Sequence, residues 1–248
     1  SVIQRAMLWP SHEALQKAVP DATIAWQPRD TVGGDFYHCA DYPEGWFFLL
    51  ADCTGHGVPG AFMTLISSSW LARSLENHGP HDPARLLAEL NRSIKLSLGQ
   101  LGRTHTSSAS DDGLDAIALW FDRATRELTF ASARTPLYML GALAEDVETR
   151  EGERMGVGYV DTPMAHAWFN QTLKVPVGST LCIATDGMVD QIGGPRQIAF
   201  GKRRLRSAML SLRSLRSKEF TAGLLDAHRS YQATHRRRDD LTVVTFRP

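Results

Sequence analysis

Three well-separated segments of this chain set a carboxylate at the end of a strongly apolar, β-type run. Few folds accommodate that arrangement three times over. The segments are WFFLLAD, ending at Asp52, TLCIATDG, carrying Asp186, and RDDLTVV, carrying Asp239 and Asp240. Asp35, directly after Gly33 and Gly34, is a fourth carboxylate in similar company. Carboxylates rarely remain in such surroundings unless they are paired or bound to a cation. Any one of them alone reads as a turn former or helix cap; the set reads as a site. Oxygen ligands without accompanying His or Cys suit Mg²⁺ or Mn²⁺. Two such ions bridged by one carboxylate, about 3.5–4 Å apart, activate a water and clamp a phosphoryl oxygen.

The glycines beside Asp52 offer a rival reading. Gly55-His56-Gly57-Val58-Pro59-Gly60 has the form G-x-G-x-x-G, but a dinucleotide fold also needs a second strand and an acidic residue about twenty positions on. Glu76 stands at that offset with no strand before it, so the context is missing. A Walker loop fails as well, because Ala61-Phe62 stands where Lys-Ser/Thr belongs. Gly33-Gly34-Asp35-Phe36 matches the glycine-acid hairpin of cyclic-dinucleotide cyclases but lacks the second acidic residue. Neither a G-x-S-x-G elbow nor an H-E-x-x-H pair occurs. The glycines are better read as serving the aspartate, letting backbone and substrate approach closely.

The coarse pattern is α+β. Thr23 to Trp26 and Trp46 to Leu50 read as strands, and a helix from about Pro59 carries Phe62, Leu65, Ile66 and Trp70 on one stripe. Asp82-Pro83 is a cap and first-turn pair, followed by Leu86, Leu90, Ile94 and Leu98 at spacing four. Gly99 to Gly113 has almost nothing to bury and reads as a mobile loop. From Leu114 the texture is β: LDAIALWF, LTFASA, AHAWFNQTLKV and TLCIATD, joined by short turns that predict antiparallel neighbours. Lys202 to Leu212 and Glu219 to Tyr231 carry helical spacing, and Leu241 to Phe246 closes the pattern as a strand. Strands and helices come in blocks, which predicts antiparallel sheets rather than βαβ units.

Charge and cysteine content narrow the partners. Lys plus Arg (27) equals Asp plus Glu (27), so no global field favours nucleic acid or an anionic membrane. Cys39, Cys53 and Cys182 show no C-x-x-C spacing, which argues against a structural zinc site or a disulfide framework and fits a reducing, cytoplasmic setting. No run approaches the roughly 18 apolar residues that span a bilayer. Val2 to Trp9 reads as the last turns of a helix stopped by Pro10. Together with the opening at Ser1, this predicts a parent chain that continues upstream, with residues 1–10 closing a linker helix and 11–248 forming the domain.

Taken in order and spacing, GGDF, ADxxGHGVPGAF, ATDG, the FGKRRL stretch at Phe200 to Leu205, and the terminal DDLTVV resemble the bacterial metal-dependent protein phosphatases of the PPM (protein phosphatase 2C-like) type, in the SpoIIE/RsbU branch. The resemblance implies a four-layer α-β-β-α sandwich with two central antiparallel sheets and two Mg²⁺ or Mn²⁺ ions in a cleft at one edge. Carried over by position, it makes Asp52 the carboxylate that bridges both ions, with the backbone carbonyl of Cys53 on the second. Asp186 and Asp239 would bind the first ion, Asp35 would hold metal-bound water, and Gly187 would give clearance. The reaction implied is in-line attack of activated water on a phosphoserine or phosphothreonine ester, without a phosphoenzyme. Asp52, Asp186 and Asp239 are thus the expected catalytic set.

Several positions depart from the pattern. Thr54 stands where eukaryotic relatives carry a His, a candidate general acid; His38 replaces the last Asp of GGDFYD; and the Ala-Gly-His-Pro region reads Ser132-Ala133-Arg134-Thr135-Pro136. Arg134 either contacts phosphate or stabilises a turn, the second being the preferred reading. The resemblance further implies a phosphorylated STAS-like or anti-sigma-factor-antagonist protein as substrate. It also implies homodimerisation through the upstream helix, a membrane-anchored sensor in the parent protein, and no direct membrane contact by this domain. The alternative is a catalytically inactive, phosphatase-like metal-binding docking module.

Overall fold

The nine-residue run GWFFLLADC forms the strand around which the chain is built, because every one of its side chains but Asp52 is fully buried. A strand apolar on both faces has to be covered on both. The computed structural model describes residues 2–100 and 111–248. Its helices are α1 (Val2–Ala18), α2 (Gly57–His78), α3 (Pro83–Ser97), α4 (Gly201–Leu212) and α5 (Ser217–Gln232). The strands are β1 (Ala22–Gln27), β2 (Asp35–Asp41), β3 (Gly45–Cys53), β4 (Leu114–Asp122), β5 (Glu127–Ala133), β6 (Leu137–Leu140), β7 (Glu148–Arg150), β8 (Gln171–Lys174), β9 (Thr180–Ala184), β10 (Ile192–Gly193), β11 (Ile198–Ala199) and β12 (Leu241–Phe246).

Two five-stranded sheets result, in the orders β2-β3-β4-β5-β8 and β1-β12-β9-β6-β7, with every pairing antiparallel. They pack face to face through Trp46 and Phe48, whose rings lie 5.3 and 5.8 Å from that of Phe246 on β12. Helices α2 and α3 cover the outer face of the first sheet, and α5, with α4 packed on it, covers the second. The four-layer α-β-β-α sandwich expected from the sequence is the observed architecture.

Because side chains alternate along a strand, the face of β3 that carries Trp46, Phe48 and Leu50 also carries Asp52. Antiparallel register places Asp35 of β2 and Asp115 of β4 directly opposite Asp52 on its two sides. The row below is Tyr37, Leu50 and Ile117, and the next is Cys39, Phe48 and Leu119. The inter-sheet core therefore ends, at one edge, in a row of three carboxylates.

Four local expectations are corrected. The first helix does not stop at Pro10 but runs through it to Ala18. Proline lacks an N–H and weakens one helical turn, yet Gln4, Leu8, Ser11 and Leu15 on a single buried face hold both halves in place. The apolar stripe on α2 is only partly turned inward: Phe62 and Leu65 are 62% and 49% exposed, Ile66 is partly buried and Trp70 packs against the core, and the buried face is Gly60, Met63, Thr64, Ser67, Leu71 and Ser74. The strand expected over AHAWFNQTLKV is confined to Gln171–Lys174. The residues before it are engaged elsewhere, the Trp168 indole donating to the Met155 carbonyl and the Asn170 amide oxygen accepting from Ala84 N at the start of α3. Short turns do not always join neighbours either, since β8 and β9 lie in different sheets, and β6 and β7 had no clear signal.

Other expectations hold. Asp82 caps α3 through Arg85 N at 3.1 Å, with Pro83 in the first turn. The loop expected over Gly99 to Gly113 falls mainly on 101–110, outside the described residues. Among the described residues no helix is long and apolar enough to cross a membrane. The facing of α2 is open to test by denaturant unfolding. Phe62→Ser should change stability by less than about 0.5 kcal/mol, whereas Leu71→Ala, at a fully buried position, should cost about 2–5 kcal/mol.

Candidate active site

The edge of the inter-sheet core is built by backbone before it is built by carboxylates. Asp240, at the entrance to β12, accepts from the backbone N–H of Arg29 on one carboxylate oxygen and of Gly34 on the other, both at 2.6 Å. Gln4 of α1 grips the same turn from the other side, donating to Gly33 O at 2.7 Å and accepting from Gly33 N at 3.1 Å. Thr64 of α2 adds a bond to Gly34 O at 3.1 Å. A Cβ on Gly34 would lie 2.7 Å from the Cys53 carbonyl oxygen and 2.6 Å from that of Gly55, so only glycine lets this turn seat against the end of β3. Gly55 and Gly57, with φ of +81° and +66°, supply the left-handed turns between Asp52 and α2.

On that frame Asp35 is wholly buried. Its Oδ2 accepts from Thr185 Oγ1 at 2.9 Å and Thr242 Oγ1 at 2.6 Å. Its Oδ1 is buried with no hydrogen-bond partner among the described residues. Burial, reinforced by the Asp240 charge and opposed by the threonine bonds, pushes the Asp35 carboxyl up from 3.8 to about 7. Asp52 stands directly opposite Asp35 in the sheet and near enough to Asp186 for the charges to interact. Burial holds it well above the ordinary range, with the charges of Asp35, Asp186, Asp239 and Asp115 adding in that order. Asp186 opens a short 3₁₀ turn directly after β9, and burial followed by the Asp239 charge raises it to about 6. Asp239 is half-buried in the bend before β12 and accepts from Asp240 N at 2.9 Å.

The structure thus gathers the sequence-predicted carboxylates Asp35, Asp186 and Asp239 around Asp52, with Asp52 and Asp186 lining the cleft itself. The Cys53 carbonyl stands at its Gly34 side. Among the described residues no three His, Cys, Asp or Glu side chains form a ready-made ligand cage. What fits divalent cations is the chemistry of the set: oxygen donors only, crowded enough to retain protons, with one buried carboxylate oxygen left unpaired. Gly187 gives clearance, but to protein rather than ligand, since a Cβ there would lie 1.9 Å from the Asp240 carbonyl oxygen. Thr54 donates to Asp112 Oδ1 at 3.1 Å, and His56 pairs with Asp30 at 2.9 Å, so neither is turned to acid chemistry at Asp52.

The sequence reading missed Asp115 and Lys202. Both border, with Asp52, Arg134 and Asp186, a cavity of about 130 Å³. Asp115 carries the same signal as the others in mirror image, a carboxylate at the start of an apolar strand, LDAIALWF. Lys202 had no such mark. It reaches the cleft from the first turn of α4, paired with Glu151 at 2.8 Å.

Residues 42–248 match the family model described as Stage II sporulation protein E (SpoIIE). The chain belongs to the SpoIIE family. Among solved structures it resembles the SiaA-PP2C domain of Pseudomonas aeruginosa, with 33% identity and a TM-score of 0.87 over 100% of this chain and 93% of that one. It also shares its fold with the PP2C phosphatase domain of SpoIIE from Bacillus subtilis, at 18% identity and TM-score 0.70, covering 91% of this chain and 61% of that chain. RsbX solved in complex with magnesium matches at 19% identity and TM-score 0.58, covering 90% and 92%. No curated protein matches in sequence. Family membership makes this domain a PP2C-type serine/threonine phosphatase, a hydrolase of a metal-dependent class.

Two expectations follow from the site. Asp240→Asn would set an amide N–H₂ against one of the two backbone donors and should cost about 1–3 kcal/mol in thermal or denaturant unfolding. Asp239→Asn, half-exposed, should cost less than about 1 kcal/mol. The raised carboxyls fix the sign of the pH dependence. With folded-state values of about 7 and about 6 against 3.8, the folded chain holds protons the unfolded chain has lost, so this stabilisation is complete below 3.8 and fades as pH rises through the folded values. His38 and His228, whose values burial lowers from 6.5, act in the opposite sense below that value, so the melting temperature of the ion-free protein should fall between about pH 6.5 and about pH 8; a rise over that interval would contradict the assignment.

Proposed function

We propose that this domain hydrolyses a phosphoserine or phosphothreonine ester on a bacterial signalling protein. The substrate would be a phosphorylated STAS-like or anti-sigma-factor-antagonist protein, the class that the RsbU resemblance implies. The observation that carries the reading is the meeting of Asp35, Asp52, Asp186 and Asp239, from distant parts of the chain, around one unpaired buried carboxylate oxygen. In this reading Asp52, Asp186, Asp239 and the Cys53 carbonyl would hold two Mg²⁺ or Mn²⁺ ions, with Asp52 shared between them, and Asp35 would orient water beside them. Ions held there would activate a water for attack and offset the charge of the phosphoryl group.

The chain's own contribution is positional. Threonines 185 and 242 hold one Asp35 oxygen and leave the other buried without a hydrogen-bond donor among the described residues. The Asp240 clamp keeps the Gly33–Gly34 turn, and with it the start of β2, in register with Asp52. Large apolar side chains exposed on α1, Val2, Ile3 and Trp9, support pairing of two copies through that helix.

Hydrolysis of an aryl phosphate should appear with Mn²⁺, vanish with chelator and return when Mn²⁺ is restored. Asp52→Ala should lose about three orders of magnitude or more in turnover, equivalent to about 4 kcal/mol of transition-state stabilisation, while circular dichroism shows a retained fold. Near-normal turnover in the folded variant would remove Asp52 from the site. Tight Mn²⁺ binding by the wild type, with no turnover of the aryl phosphate or of any phosphopeptide, would favour the docking module.

A further inference from the structure

Among the residues bordering the cleft, Arg134 has its backbone held against its own preference. Its φ is +63°, in the left-handed region that a residue with a Cβ seldom occupies. Strain of this kind persists where the surroundings impose it, and it concentrates at functional sites. Here the surroundings are explicit. Arg134 N donates to Glu153 O at 2.8 Å, Glu153 N donates to Ser132 O at 2.8 Å, and Ser132 Oγ donates to the Thr135 carbonyl. A Cβ on Gly152 would lie 2.6 Å from Ser132 Oγ and 2.9 Å from Arg134 N, so the opposing segment is pressed against the turn.

These bonds close the turn with main chain and a serine hydroxyl. The guanidinium is not needed for them. It is instead held on its own account: Nε donates to the Arg154 carbonyl at 2.9 Å, and the group lies 4.7 Å from the centroid of the Tyr159 ring. Its Nη1 makes a long contact of 3.5 Å with Asp115 Oδ1. A guanidinium has five N–H donors in a rigid fork, and stacking on an aromatic face leaves its edge free to bind. The side chain is 35% exposed and borders the same cavity as Asp52 and Asp186.

Charge argues in the same direction. A phosphate monoester entering a cleft lined by aspartates needs cations beyond those the carboxylates themselves hold. Two basic side chains border the cavity, Arg134 and Lys202. Lys202 pairs with Glu151 at 2.8 Å in an exposed ion pair, and Arg134 has only the long contact with Asp115 to exchange while its fork is already held by the Arg154 carbonyl and Tyr159.

We propose that Arg134 receives the non-bridging oxygens of the substrate phosphoryl group, with Tyr159 and the Arg154 carbonyl holding its fork in position. The assignment rests on the phosphatase reading above and adds a substrate-binding residue to it. It differs from the turn-stabilising role favoured by sequence alone, and the melting temperature below separates the two.

The test is steady-state hydrolysis of an aryl phosphate by the wild type, Arg134→Ala and Arg134→Lys at saturating Mn²⁺, with inhibition by inorganic phosphate measured alongside. Arg134→Ala should raise KM and the inhibition constant for phosphate by about tenfold or more, the range for losing a hydrogen bond to a charged group. The Mn²⁺ concentration for half activation and the melting temperature should stay close to wild type. Arg134→Lys, which keeps the charge but loses the fork, should recover only part of the loss. An unchanged KM and phosphate inhibition in Arg134→Ala overturns the proposal, and a lowered melting temperature with unchanged KM returns the residue to the turn. If the wild type shows no turnover, the phosphatase reading fails separately. Calorimetric titration of Mn²⁺-loaded protein with inorganic phosphate then decides on Arg134: weaker binding by Arg134→Ala supports the assignment and equal binding overturns it.

Discussion

Asp35, Asp52 and Asp115 stand side by side on three neighbouring strands, on the face that packs against the other sheet. Like charges directly opposite in a sheet repel, and burial raises the cost of each. Four features accommodate the row. The two threonines that end the second sheet bind one oxygen of Asp35. Arg134 faces Asp115. Burial and mutual charge raise the proton affinity of Asp35, Asp52 and Asp186. The row itself lies at the rim, where the rank of Tyr37, Leu50 and Ile117 gives way to the cleft. Moved one rank inward, the same carboxylates would replace the packing of the inter-sheet core.

Holding the row at the rim requires backbone to approach backbone. Gly34 lies against the carbonyls of Cys53 and Gly55, Gly60 against Gly55 and Gly34, and Gly187 against Asp240. Each contact joins a different pair of segments, so β2, β3, α2 and the two aspartate-bearing ends of the second sheet share one junction. Asp240 is the polar counterpart of these glycines. Its carboxylate is consumed by two backbone donors, which is why two adjacent aspartates divide their work, one closing the junction and one adding its charge beside Asp52.

How much of this was legible depended on whether the signal was local. Hydrophobic runs and capping residues are local, and they marked β3, β4, β12, α3 and Asp52 with the three carboxylates gathered around it. Asp115 carried a local signal, an aspartate at the start of an apolar strand, but its place opposite Asp52 comes from register, and the position of Arg134 beside it comes from the turn at Gly152. Pro10 misled because its effect on a helix is local while the burial that overrides it, through Gln4 and Leu15, is tertiary. Asp240 was separable from Asp239 by position in the family pattern, yet its bonds to Arg29 and Gly34 span more than two hundred residues. The short strands β6 and β7 had too few residues to show a period.

The facing of helix α2 follows from the same junction. Its first turns must pass over Gly34, so its inner face there is Gly60 and Thr64, and Thr64 bonds the Gly33–Gly34 turn and its own Gly60 carbonyl. A bulky apolar residue at either position would lift the helix and draw the Gly55–Gly57 turn, which begins at the end of β3, away from the cleft. Val58, Phe62 and Leu65 are therefore directed to the other side, where they lie exposed. Met63, beside the junction, and Leu71, farther along, are the large apolar side chains of the inner face. The hydrophobic pattern of this helix is thus set by how closely its first turns must approach the backbone around Asp52, and a reading that assigns the whole apolar stripe to the core misplaces it.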